Sequence, residues 1–545
     1  MTTTPSRTTN TEFGRRAANT LLAMILVGVG IRSILSAYEK PLWFDEILTI
    51  VMCRLPSASK LWQALDSGAD TNPPLFYLIA GCAHRFVQDD HVAYRLPSVL
   101  GLLVTIVSIY LFLSRRIDRL SALVGATFLL CTQLVFYSTE ARPYGLMIGF
   151  VSVAILAWQR TDGSQFYPLL LCIALTIALS LHYYAILVWP ALALAEATVY
   201  LYRRRLRIGV LIALVVATVP MFVFAPLLVH LSQYYGRNFW SRPSVGQIYS
   251  APGNLYNFLN YWVWCLTIGI IVVLICSSLG KTETFDSLRR REEDEPVLPI
   301  EECVLIAVCL LLPVIAVLAA KVSGGGMTYR YMLPMVLGAS LALGFLASRA
   351  SQRVRALLLT LILVNYGLSS LSVMKKALTG SLLARRTAIA NEDKAIIADY
   401  QKFVLPIVIA PGSNYLPMVY YLPADQRVAL YALADPNAAM TFFGSDSVDL
   451  ALLALRPYFP LQVERYDRFA SSNREFILVS MQGTRRDWWP TRLLRDGDTL
   501  NLISADKSMH AYKVTMNSQL APEKERPDNG VGSINGNESP DEVSP

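Results

Sequence analysis

The chain reads as a polytopic α-helical membrane protein of about eleven transmembrane helices with a small C-terminal α/β domain. Three observations carry this reading. Of 545 residues, 54% are hydrophobic and only 16% charged, whereas an ordinary soluble domain is about 25% charged. The apolar residues lie in runs of about 17–25, the length that crosses a bilayer as a helix. Short basic clusters fall at every second junction between those runs, as orientation signals do.

Taken in order, residues 1–14 are Thr-rich and polar and read as a disordered tail. Arg15-Arg16 then precede the first apolar run. A signal peptide has the same beginning, but no small-x-small cleavage site follows and further spans do, so a retained helix is the better reading. The spans fall at 17–36, 93–114, 119–138, 143–159, 166–182, 185–201, 207–230, 256–279, 299–320, 331–348 and 355–373, within a membrane domain covering 15–375. Arg15-Arg16, Arg115-Arg116, Arg160, Arg203-Arg204-Arg205, Arg289-Arg290-Arg291 and Arg349/Arg353/Arg355 then all fall on one side. The positive-inside rule makes that side, and the N-terminus, cytoplasmic. Pro74 to Phe86 is apolar but too short to span, and reads as an interfacial helix in a first outer loop at 37–92.

Beyond Met374 the pattern changes. Strand-like runs at Phe403–Ala410, Val428–Tyr431, Phe476–Met481 and Ala511–Thr515 alternate with helical stretches at Asn414–Leu422 and Asp449–Tyr458, which suits an α/β domain over 376–516. The span count places it outside. Residues 517–545, rich in Pro, Gly, Asn, Asp and Glu, read as a disordered tail.

The net charge of +8 invites a nucleic-acid reading, but the basic residues are spent on orientation, so no nucleic-acid partner is expected. Six of the eight cysteines lie in apolar runs. Cys53 and Cys82 share the first outer loop and could pair; two small buried thiols is the better reading. Asp496-Gly497-Asp498 reads as a turn, and Gly324-Gly325-Gly326 as a flexible loop, because the Lys-Ser/Thr end of a P-loop is absent.

The outer loops collect the chemically expressive side chains. Asp45 and Glu46 follow Trp43-Phe44 directly after the first span. Two acids at the mouth of a membrane helix are costly, and mark chemistry or transport. Flanking rings that exclude water would raise a carboxyl pKa towards the range of a general base for a hydroxyl nucleophile. Glu46 cannot share that direction on a helix, and would orient Asp45 or bind a metal. A charged pair capping an interfacial helix stays open as the plainer reading. Asn72-Pro73-Pro74 fixes an extended turn before the interfacial helix. Glu140 and Arg142 end the third span, as a second cavity acid with a neutralising or phosphate-gripping cation, or as an internal salt bridge. Arg330-Tyr331 open the tenth span, where a guanidinium suits a phosphate; Lys321 and Arg237 are possible second cations. The alternative for Arg330 is snorkelling to lipid headgroups. His182, followed by Tyr183, and His230 lie at outer span ends; with the carboxylates the two histidines could hold a divalent metal, although nothing in the spacing fixes a site, and interfacial polar packing is the better reading.

Trp43-Phe44-Asp45-Glu46, Asn72-Pro73-Pro74-Leu75-Phe76-Tyr77, Arg95-Leu96-Pro97-Ser98, Glu140-Ala141-Arg142-Pro143-Tyr144 and Arg330-Tyr331-Met332-Leu333-Pro334 together resemble the membrane glycosyltransferases of the GT-C fold. The likeness is strongest to the bacterial protein-mannosyltransferase-like group (family 39), which includes the lipid A aminoarabinose transferases. It covers residues 15–200 firmly, reaches 373 more loosely, and is architectural beyond. The resemblance implies an inner-membrane enzyme that moves one sugar from a polyprenyl phosphate to an acceptor hydroxyl, with inversion, on the extracytoplasmic face. The acceptor would be a glycolipid, a polysaccharide or a protein. By resemblance Asp45 is the general base, Glu140 the acid at the end of the third span, and Arg330-Tyr331 a contact of the carrier phosphate. Arg142, Tyr144, Asn72, His182 and Tyr183 would line the substrate site. Glu140 departs from the Arg-x-Asp form of some members. Two other classes fit intramembrane charges: a polyprenyl-lipid or sugar flippase, and a non-enzymatic envelope-assembly protein. No internal repeat supports the first.

Overall fold

The computed structural model describes residues 7–256, 269, 298–481, 486–505 and 509–517. The span expected at 256–279 and the tail at 517–545 therefore lie outside the described residues, but for positions 256, 269 and 517. A helical bundle occupies the chain to Leu378, a second helix Ser381–Gln401 follows it, and a mixed α/β unit closes the fold. The first helix begins at Arg7, not at the expected residue 15. Nothing after Pro5 breaks it, since proline is at home only in a first turn.

Among the described residues, four helices are long and apolar enough to cross a membrane, and two bent pairs raise the number to six. The other expected spans are shorter apolar helices such as Tyr144–Arg160 and Met335–Ser348. The difference from the sequence expectation has local causes. Ile300–Leu310 and Leu312–Ser323 meet at 57°, and Ile208–Val223 meets Ala225–Tyr234 at 54°. Pro313 and Pro226 stand in the first turns of the second helices, where the missing N–H breaks the ladder. The third expected span stops as a helix at Phe128 and turns at the extended residue Thr132. Leu75–His84 is the short helix expected in the first loop.

Helices Leu96–Leu113 and Tyr144–Arg160 form the tightest pair. A Cβ on Gly101 would stand 2.2 Å from the carbonyl oxygen of Gly145, so the backbones touch, as small residues permit in a membrane. This contact sets where Tyr144, at the start of its helix, meets the polar end of the bundle.

The C-terminal sheet contains β1 (Ile407–Ala410), β2 (Leu430–Ala434), β3 (Val463–Arg465), β4 (Glu475–Met481), β5 (Thr499–Ala505) and β6 (Met509–Thr515), in the order β3-β2-β1-β4-β6-β5. β1, β2, β3 and β4 run parallel, and β6 returns antiparallel between β4 and β5. Ile-Val-Ile-Ala of β1 is buried throughout, as a central parallel strand covered on both faces requires. The short β3 and the largely exposed edge strand β5 had no clear signal in the sequence. Helix Gly412–Tyr421 packs this unit onto helix Phe44–Cys53. There the Leu42 N–H donates to the Tyr421 hydroxyl at 2.7 Å, and Tyr421 also meets His91 at 3.0 Å.

Candidate active site

One polar cavity of about 310 Å³ opens between the bundle and the α/β unit. Its bundle wall holds Asp45, Glu140, Arg142, Tyr144, Arg330 and Tyr331; its other wall holds Ser413, Ser445, Ser447, Asp449, Arg486 and Trp488.

Asp45 and Glu46 are adjacent in sequence and separated in role. Glu46 is fully buried and gripped by Arg95 through a two-pronged pair, Nε to Oε1 at 2.7 Å and Nη2 to Oε2 at 2.5 Å. The Ala141 N–H donates to Oε1 as well, at 2.7 Å. Burial alone would raise this carboxyl, yet the Arg95 charge and its hydrogen bonds hold it below the ordinary range. Arg95 also donates to the carbonyls of Ala37, Lys40 and Pro41. Glu46 thus fastens the first loop to the bundle and does not face the cavity. Both of its oxygens already accept from Arg95, which leaves none for a metal; its part beside Asp45 is to anchor the main chain.

Asp45, one residue earlier in the first turn of helix Phe44–Cys53, points the other way into the cavity. Its Oδ2 accepts from Arg330 Nη1 at 3.1 Å. Arg330 lies 5.4 Å from the Tyr144 ring centroid and 5.9 Å from those of Trp240 and Tyr331. A guanidinium walled by aromatic faces keeps its charge while losing water.

Arg142 does not pair with Glu140. It makes a fork to Asp70, Nη1 to Oδ2 at 2.6 Å and Nη2 to Oδ1 at 3.2 Å, and donates to the main-chain carbonyl of Asp45 at 3.1 Å. Glu140 pairs with Lys40 at 3.0 Å, while its Oε2 is buried without a partner. Burial pushes the Glu140 carboxyl above the usual carboxylate range, against the pull of Lys40. The sequence reading passed over Asp70 and the partner roles of Lys40 and Arg95, although all three stand in or beside the motifs. An acid two residues before Asn72-Pro73 was the available signal for Asp70.

The remaining expected residues divide. Tyr331 stacks on Tyr184 at 4.1 Å, and His182 packs 5.2 Å from both Tyr144 and Tyr331, behind the cavity wall. Tyr183 turns towards Phe224, Asn72 is buried beside the cavity without lining it, and Lys321 is exposed on its helix end. The side chain of Arg237 lies outside the described residues. His230 pairs with Asp66. No group of three or more His, Cys, Asp or Glu side chains is placed for a metal among the described residues. Cys53 and Cys82 are free thiols, but not both buried as expected: Cys53 is partly buried and Cys82 is exposed.

A helical bundle with a polar cavity at one end, roofed by a small α/β unit, defines a multi-pass integral membrane protein of the GT-C fold. Apo ArnT from Cupriavidus metallidurans has that architecture: the TM-score is 0.55 at 13% identity, over 91% of this chain and 98% of that one. ArnT from the same organism bound to undecaprenyl phosphate gives 0.51 at 12% identity, over 90% and 97%. Residues 71–230 match the dolichyl-phosphate-mannose-protein mannosyltransferase family. No curated protein matches the sequence.

Proposed function

We propose that the protein is an inverting glycosyltransferase that moves a monosaccharide from a polyprenyl phosphate to an acceptor hydroxyl. The observation that carries the reading is the Asp45–Arg330 contact at 3.1 Å inside the cavity. It sets a base beside a phosphate-compatible cation, from positions far apart in the chain. The fold shared with an ArnT bound to undecaprenyl phosphate and the family match over residues 71–230 support a lipid-linked donor.

In this reading the donor phosphate lies against Arg330 with its sugar over Asp45. The Asp45 carboxylate takes the proton of the acceptor hydroxyl as that oxygen bonds to the anomeric carbon. The carbon–oxygen bond to phosphate breaks on the opposite side, and the electron pair leaves with the polyprenyl phosphate. Arg330 neutralises the charge that grows there. One displacement inverts the anomeric centre. Arg142, held by Asp70, fixes the main chain of Asp45 and so aims its carboxylate. Basic clusters at the other end of the bundle, read by the positive-inside rule, support a cavity on the extracytoplasmic face of a bacterial inner membrane. The acceptor is a glycolipid, a polysaccharide or a protein.

The test is turnover of a synthetic polyprenyl-phosphate sugar by purified protein. Asp45→Asn keeps the shape and loses the base, and transfer should fall at least about 100-fold while polyprenyl phosphate still binds. Undiminished transfer by that variant removes Asp45 from the mechanism. A wild-type protein that binds the lipid and never cleaves it is a carrier of lipid, not a transferase.

A further inference from the structure

Three arginines line the cavity: Arg142, Arg330 and Arg486. Arg142 is matched by Asp70 and Arg330 by Asp45. Arg486 alone among them, within the described residues, has no carboxylate partner. Its neighbour Asp487 turns away and accepts from the Ser480 hydroxyl. The Arg486 guanidinium lies 5.8 Å from the Trp240 ring centroid, and that same indole has Arg330 at 5.9 Å. One ring of the bundle therefore gathers a cation from each wall of the cavity.

We propose that Arg330 and Arg486 are the two arms of a single phosphate site, so that the α/β unit completes donor binding. This rests on the transferase reading. A sugar-phosphate diester carries one negative charge, whereas the departing monoester carries close to two at neutral pH. Asp45 gives up its own charge as it takes the acceptor proton, which frees Arg330 to meet the increase, yet with Arg330 alone one phosphate charge stays unmatched both before and after transfer. Arg486 is the uncompensated cation at the place where the extra charge appears. Its fork donates to phosphate oxygens, and the indole face holds it without competing for its hydrogen bonds. The side chain is exposed, so its replacement should leave the fold alone.

The experiment uses the full-length protein in nanodiscs, titrated with a synthetic polyprenyl monophosphate and, separately, with the uncharged polyprenol. Arg486→Ala should weaken monophosphate binding about ten-fold, the loss of one charged hydrogen-bonding contact, and leave polyprenol binding unchanged. Arg486→Lys should recover part of the loss, and Arg486→Glu should exceed it. Unchanged monophosphate affinity in Arg486→Ala overturns the assignment. So does an Arg486→Ala variant whose only defect is a raised KM for an anionic acceptor, because the arginine then reads the acceptor. If the wild-type protein binds monophosphate no better than polyprenol, the transferase reading fails as well. Failure confined to the variants leaves that reading standing.

Discussion

Both ends of the bundle are ringed with arginine–carboxylate pairs, and the two ends use them differently. At the end away from the cavity, Arg116 meets Glu302 at 2.7 Å, Arg207 meets Glu196 at 2.5 Å, and Arg203 meets Glu301. These pairs tie helix ends and the turns between them together at the rim; Arg116 and Arg203 are 28% and 47% exposed, while Arg207 and Glu196 are 9% and 5%. At the cavity end, Glu46 and Arg95 are both 0% exposed, and Arg142 and Asp70 are 4% and 2%. Buried pairs gain little net stability for their cost. What they do here is hold the main chain around Asp45 in one place. Charge at the far end joins helix ends at a boundary, whereas the buried pairs at the cavity end fix the main chain of a residue that faces the cavity.

The strongest way to break this comparison is to remove one partner at each end. Glu46→Gln strands a fully buried guanidinium, and should cost about 3–5 kcal/mol of stability, together with activity. Asp45→Asn, next to it, should cost activity with little stability, because Asp45 is partly exposed and its neighbour does the fastening. Thermal unfolding of the two variants in the same detergent checks this; equal losses of stability would merge the two acids into one structural role. At the other end, Glu302→Gln should cost less than Glu46→Gln, since Arg116 is 28% exposed and keeps water to turn to, and transfer should continue. A Glu302 variant as inactive as Asp45→Asn would erase the distinction between the ends.

The difference between the ends also explains what could be read in the sequence. Apolar runs and basic clusters expose the bundle because hydropathy is additive along a chain, and the strand-like runs expose the α/β unit for the same reason. Helix breaks are less legible: Pro226 and Pro313 are visible, but only packing decides that they bend a span instead of ending one. At the site, Asp45 and Arg330 were singled out by position, and the structure puts them in contact. Glu46 was over-read, because nothing local distinguishes a carboxylate facing a cavity from one facing Arg95, 49 residues later. Arg142 was given a possible partner in Glu140, while its fork is closed by Asp70, 72 residues earlier. The α/β wall was invisible altogether. Ser445 and Arg486 belong to no periodic pattern, Asp449 only opens a helical stretch, and the docking of helix Gly412–Tyr421 is what brings this wall to the bundle.

That wall offers the finest test of the contrast between fastening and facing charges. Asp449 lines the cavity with its side chain buried, accepts from the Asp435 N–H at 2.7 Å, and lies near the charges of Asp435 and Asp446. Burial first, and those like charges next, push its carboxyl from an ordinary 3.8 up to about 7. A carboxyl raised in this way keeps its proton in the folded chain over a pH range where the unfolded chain has lost it. Stability is then fully present below pH 3.8 and falls as pH rises through about 7. Asp449→Asn can still accept the Asp435 N–H but has nothing to titrate. Its thermal midpoint, followed by tryptophan fluorescence in the full chain, should decline less steeply over that range than the wild-type midpoint. Asp487, pushed up to about 6, contributes a slope of the same sign, so the decline should flatten without vanishing. An unaltered slope would show that Asp449 is ionised in the folded protein, and the cavity would then hold a fixed negative charge opposite Asp45.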